Sequence, residues 1–348
     1  MTPGVLSLWA GFAIGLAVGA TGQVTGFCLN RGLHGFWITG NGVKIRAFAL
    51  ALAVAILGSQ ALDAAGVVDL RKSIYLGTTF SWLLLPLGGV LFGYGMIAAN
   101  GCPSRTLVLL GQGNLRSFVV LVCLGIAAYM TLTGLFAPVR TQIAAVTGAA
   151  VGEGPQSLPY LARAVSADVA RVVFTLVAAG LLLWFAFAHK SFRDSRKDVA
   201  SGFIIGALVP AGWLATGWLG ADDFDPVPLV SITFIAPVGE TIQYAMIATG
   251  TKASFGVAVV CGVFLGSLGA ALFTRGWRLD GFPNPERMAR YMAGGVLMGI
   301  GGALALGCSI GQGLTGLSTL AIGSFLAAGG ILLGARLALR GPLRLPPL

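Results

Sequence analysis

The stretch GGVLFGYGMIAANGC, residues 88–102, returns as GGVLMGIGGALALGC at 294–308. Aligned without a gap, the copies match at nine of fifteen positions, with Gly88, Gly89, Gly93, Gly95, Gly101 and Cys102 against Gly294, Gly295, Gly299, Gly301, Gly307 and Cys308. A constant offset of 206 residues reads as internal duplication. Both copies are apolar, glycine-spaced and closed by a single cysteine, so the duplicated unit is a helix that packs closely and then breaks.

Composition sets the class around this pair. The 348 residues are 56% hydrophobic and 10% charged, with a mean hydropathy of +0.87; an average soluble domain is about one quarter charged. The sequence predicts an all-α integral membrane protein, because apolar runs of about 18 residues or more suit spanning helices. No train of short alternating segments suggests a barrel. Nine crossings are predicted, over 5–25, 46–66, 82–100, 117–137, 168–188, 200–219, 253–273, 290–306 and 319–339. Pieces too short or too rich in Gly and Pro to cross, at 26–40, 102–114, 226–250 and 308–317, read as re-entrant or broken helices. The amino end lacks a basic n-region and a small-residue cleavage site, so it reads as a retained first helix. One membrane domain over 1–348 is the economical count.

With the amino terminus outside and the carboxy terminus inside, 16 of the 22 Lys and Arg fall on the inner face and six outside: Arg71, Lys72, Arg140, Arg163, Arg171 and Lys252. That asymmetry follows the positive-inside rule, so the net charge of +10 reads as topology rather than nucleic-acid binding. A looser echo, GFAIGLAV from Gly11 and GFIIGALV from Gly202, adds a second offset of 191. The expectation is two inverted repeats, about 5–137 and 200–340, joined by a helix at 168–188. Transporters of that design carry their site near the midplane, at the repeat interface.

Five cysteines show neither a C-x-x-C pair nor metal-ligand spacing, and nothing points to a cofactor. In the first copy Asn100 and Gly101 break the helix, and Pro103 suits a first helical position. Cys102 therefore stands at a half-helix start, where unpaired amides and the helix dipole favour an anion. Cys308 repeats the arrangement, and Cys28, in TGQVTGFCLNRG, does so in looser form. Cys28 with Arg31, and Cys102 with Arg105, share C-x-x-R spacing; these arginines either draw an anion towards a thiol or anchor the inner face. Cys123 and Cys261 sit in ordinary apolar runs and read as packing residues. Glu240 is the one acid well inside an apolar stretch, a functional candidate unless its loop is open to water. Gln112 and Gln312, in the twice-used GQG, line a path or cap turns, and His34 reads as a solvated loop residue.

The motifs TGFCLNRGL, GYGMIAANGCPSRTLVLLGQGN and GIGGALALGCSIGQGLTG together resemble the YeeE/YedE family, bacterial inner-membrane proteins that take up thiosulfate and related sulfur compounds. The resemblance covers most of the chain. It implies an hourglass-like pathway lined by short helices, with Cys28, Cys102 and Cys308 as the substrate path. It also implies that thiosulfate passes inward by successive S–H to sulfur hydrogen bonds, without persistent covalent bonds and without enzyme activity. Some relatives carry a small sulfurtransferase of the TusA type; none is fused within these 348 residues, so a cytoplasmic TusA-like protein is an expected partner beside membrane lipid. Two other readings stay open: a transporter of another sulfur or selenium species, and a membrane thiol or persulfide-transfer enzyme.

Overall fold

The computed structural model describes residues 2–151, 154–161, 167–222, 227–281 and 284–346. Gly152, Glu153, Arg163 and Pro226 lie outside these. The described chain is helical, with one two-residue strand pair, Phe80–Ser81 against Gly148–Ala149. Its helices are α1 (Pro3–Thr25), α2 (Leu29–His34), α3 (Val43–Ala64), α4 (Leu84–Ala98), α5 (Pro103–Gly111), α6 (Leu115–Leu132), α7 (Ala137–Val146), α8 (Leu158–Leu161), α9 (Ala167–Phe187), α10 (Lys190–Arg193), α11 (Arg196–Gly217), α12 (Ile235–Ile247), α13 (Phe255–Phe273), α14 (Pro285–Leu304) and α15 (Ile322–Arg340). Single π-helical turns occupy Gly35–Thr39 and Gly311–Gly316.

Among the described residues, eight helical runs are long and apolar enough to cross a membrane. The protein is an all-α integral membrane protein. The ninth predicted crossing, 290–306, is α14; its 20 residues reach about 30 Å, but it opens on Glu286, Arg287 and Arg290. The predicted crossing at 117–137 stops at Leu132, and α7 follows as a short helix that apolarity alone concealed.

Helix pairing follows the glycines. α1 packs on α13, α3 on α11, α4 on α15, and α6 on α14. Each pair runs in one direction: Gly15 and Gly19 face Val259 and Val263, Gly202 and Gly206 face Ala47 and Ala51, Gly89 and Gly93 face Ala327 and Ile331, and Gly295 and Gly299 face Val120 and Leu124. Small residues at this spacing let backbones meet where lipid offers no hydrophobic drive for association. The two copies of the repeated segment, α4 and α14, instead run antiparallel. A Cβ on Gly88 would lie 2.6 Å from the Gly301 carbonyl oxygen, and one on Gly95 2.7 Å from that of Gly294. Adding 206 to Gly88 and subtracting 206 from Gly301 turns the first contact into the second, as a two-fold relation between the segments requires.

Both copies end on the same cap. Gly101 N–H donates to the Met96 carbonyl (3.0 Å) and Gly307 N–H to that of Gly302 (2.8 Å), a Schellman-type closure. The left-handed residue is Asn100 in one copy and Leu306 in the other, each at φ 56°. A half-buried ion pair ties α3 to α11 at the face that carries the 188–197 segment. Lys44 Nζ donates to Asp198 Oδ1 at 2.6 Å, and Ser195 Oγ donates to the other carboxylate oxygen at 2.6 Å.

Candidate functional site

Each of the three motif cysteines precedes a short helical piece. Cys28 (φ −170°, ψ 132°) leads into α2, Cys102 (φ −80°, ψ 165°) into α5 with Pro103 first, and Cys308 into the π-helical turn at 311–316. All three are free thiols and buried, at 4%, 3% and 0% exposure. Three residues on, the amides of Arg31, Arg105 and Gly311 face the respective sulfurs; that of Gly311 donates to Cys308 Sγ at 3.2 Å. The backbone of Phe234, which precedes α12, also faces Cys308. Amides from the first turn of the following helical piece thus face each sulfur, and such helix-start donors favour negative charge.

The structure joins Cys28 and Cys102, 74 residues apart, with their sulfurs 3.8 Å from each other. That is the range of a weak S–H···S hydrogen bond, well beyond the roughly 2.05 Å of a disulfide. The Ser309 hydroxyl stands beside the Cys102 thiol, which brings the residue after Cys308 next to the Cys28–Cys102 pair. Cys123 and Cys261 take no part; Cys261 is exposed on α13.

The remaining candidates divide. Arg105 is buried (8% exposed), donates to the Gly22 carbonyl at 3.2 Å and holds its charge beside Cys28 and Cys102. Arg31 is exposed, its guanidinium lying against the left-handed Gly26. Asn100 is exposed and lines a cavity of about 290 Å³ with Asn30, His34 and Arg290, roofed by Arg344, Leu345 and Pro346. Asn30 Nδ2 donates to the Met96 carbonyl at 3.2 Å, holding the residues beside Cys28 to the end of α4. Gln312 is buried, donates to the Ala305 carbonyl at 2.6 Å and lines a second cavity of about 180 Å³ with Tyr75, Arg140 and Ser324. Gln112 bonds the Gly276 carbonyl at 3.3 Å, a loop contact. Glu240 accepts from Ser254 Oγ at 2.6 Å where α12 meets α13. Neither touches a motif cysteine.

Neither cavity is lined by a cysteine: Asn30 and Asn100 of the first stand two residues from Cys28 and Cys102, and in the second the Gln312 N–H donates to the Cys308 carbonyl at 2.7 Å. A larger cavity, about 540 Å³, is lined by Gln60, Asp63, Asp69, Arg71, Arg171 and Thr319. In its wall Arg71 holds the Asp69 carboxyl below the usual carboxylate range by a hydrogen bond and ion pair. Sequence reading missed Tyr75, whose hydroxyl meets Thr233 and whose ring stands against Trp213 at 6.3 Å. Tyr75 sits in a single 3-10 turn, Ile74–Leu76, too short to show periodicity, so only the fold reveals it. It also missed the direct meeting of Cys28 with Cys102, for which chain separation leaves no local signal.

Two curated relatives share this architecture's length. A thiosulfate transporter of Escherichia coli K12, TsuA, is 25% identical over 325 residues, covering 88% of this chain and 86% of its own. A protein of the same name from Spirochaeta thermophila is 24% identical over 338 residues, covering 94% and 96%. The family model described as sulphur transport matches residues 24–337, a span that contains all three capped cysteines. With nearly its whole length inside that match, the chain belongs to the sulphur transport family, the YeeE/YedE group, and is a multi-pass membrane protein of that kind.

Proposed function

We propose that the chain imports thiosulfate, or a closely related small sulfur anion, across a bacterial inner membrane, and that it works as a transporter rather than an enzyme. The anion enters by the Gln312–Tyr75 cavity, meets Cys308, passes Ser309 to Cys102 and Cys28, and leaves by the Asn30–Asn100 cavity. The two halves, 5–137 and 200–340 about the helix at 168–188, lie inverted, with the 188–197 and 275–281 loops on the cytoplasmic face. A TusA-like sulfurtransferase is a fitting acceptor there.

The observation that carries this reading is the 3.8 Å contact between Cys28 and Cys102 within a file of helix-capping thiols. A thiol is a weak donor with a soft, polarisable sulfur. It can replace part of the hydration of a terminal sulfur without holding it tightly, and moderate affinity at successive sites is what conduction needs. Sulfate, with only oxygen at its edge, gains less from the exchange.

The test is thiosulfate-dependent growth of cells lacking their own sulfate and thiosulfate importers. The wild-type chain should restore growth, and Cys102→Ala and Cys308→Ala should abolish it at equal membrane abundance. Full growth of both variants would remove the relay.

The same sulfur pair favours a second reading, a thiol or persulfide-transfer enzyme. It requires a covalent intermediate, so a substrate-derived persulfide or mixed disulfide on Cys28 or Cys102, trapped with an alkylating reagent during turnover, would support it over transport by hydrogen bonding.

A further inference from the structure

The 180 Å³ cavity lined by Gln312 and Tyr75, one residue removed from Cys308, contains polar groups that the thiol relay does not use. Ser324 and Gln312 are each 2% exposed and both line it. Neither Ser324 Oγ nor Gln312 Oε1 has a protein partner. A buried polar group left unpaired costs about 1–3 kcal/mol, so two in one wall point to something bound there. The Gln312 amide is oriented, because its Nε2 is committed to the Ala305 carbonyl at 2.6 Å. Ser324 is then the member of the pair with a hydrogen to give.

Gly316 keeps the space open. A Cβ there would stand 2.7 Å from Gln312 Oε1 and 3.0 Å from the Tyr75 ring, and would collide with Ser324 Oγ. Tyr75 joins this space to the sulfur. It lines the cavity, faces Cys308, and its hydroxyl lies 3.6 Å from where a Gly311 side chain would begin. Arg140 brings a positive charge to the same wall while its guanidinium donates to the Thr131 and Leu132 carbonyls at 3.1 and 3.2 Å.

We propose that Ser324 is a specificity-determining residue whose hydroxyl donates to an S–O oxygen of the substrate in this cavity, in a space kept open by Gly316, while Cys308 meets the terminal sulfur. The cavity then selects small anions that carry a soft sulfur at one end and hard oxygens at the other. This rests on the transport reading above and assigns the oxygen end of the substrate, which the cysteines leave unrecognised.

The experiment measures the KM and maximal rate of labelled thiosulfate uptake into vesicles holding the purified full chain, for wild type, Ser324→Ala, Ser324→Thr and Ser324→Val. Loss of one hydrogen bond to a charged oxygen predicts a KM raised about tenfold or more in Ser324→Ala, with a maximal rate within about twofold of wild type. Threonine and valine have nearly the same shape and differ by the hydroxyl, so Ser324→Thr should have a KM about tenfold below that of Ser324→Val. This pair decides the matter should the alanine variant fail to fold. Equal KM values for threonine and valine, or an alanine KM at the wild-type value, would overturn the proposal. No uptake by the wild type would instead overturn the transport reading, a result separable in the same experiment.

Discussion

At the scale of single residues, position determines what each thiol can do. Cys28, Cys102 and Cys308 are alike in composition to Cys123 and Cys261, yet only the first three sit at helix starts with amides turned on the sulfur. The same scale shows where the chain carries strain. Asn100 and Leu306 occupy the same left-handed cap at φ 56°, and a residue with a Cβ costs roughly 1–2 kcal/mol there, asparagine less than others because its side chain bonds locally. Leu306 is 41% exposed, so little packing is lost on replacing it. Leu306→Asn should therefore stabilise the protein by about 1 kcal/mol, visible as a raised unfolding temperature in detergent; an unchanged or lowered value would show that Leu306 contributes by packing instead. The cap explains why the break before Cys102 was legible from Asn-Gly, whereas the break before Cys308 was readable only by analogy with the first copy.

At the scale of elements, helices meet through glycine, and their order follows from it. α4 is held on one side by α15 and on another by α14, with backbone nearly touching backbone at Gly93 and Gly95. Gly95→Leu must push α4 away from α14 and so displace Asn100 to Cys102 at its end. The expected result is loss of folded protein, read as a monodisperse peak in detergent, together with loss of the Cys28–Cys102 contact, read as failure of a mild thiol oxidant to join them. A well-folded variant that still cross-links would show that this crossing does not position the cysteines. Apolarity and length placed the long helices within a few residues, because spanning a membrane demands both. They placed α14 less well, since its charged first turns dilute the signal, and they gave no notice of α7, which is too short to cross. Which helix packs on which lay in the glycine spacing, but choosing partners needs the three-dimensional arrangement.

At the scale of the whole molecule, the contacts of one half recur in the other under exchange: α1 on α13 answers α11 on α3, and α4 on α15 answers α14 on α6. The repetition stops at the cysteines. The two halves supply three motif thiols, with Leu219 at the position that corresponds to Cys28, and the two cavities differ in size and lining. The two cavities differ in chemistry, one rich in hydroxyls with Tyr75, Thr79, Ser81 and Ser324, the other basic with His34, Arg290 and Arg344. The duplication and the motif cysteines were legible in the sequence. The joining of Cys28 to Cys102, the place of Tyr75 and the unpaired hydroxyl of Ser324 were not, because each depends on segments distant along the chain. The most direct test is the flux of labelled thiosulfate into sealed vesicles containing the purified chain, compared between wild type and Cys102→Ala. Transfer between neighbouring thiols predicts saturable, thiosulfate-specific uptake by the wild type and uptake at the level of empty vesicles for the variant. Wild-type rates in folded Cys102→Ala would contradict it.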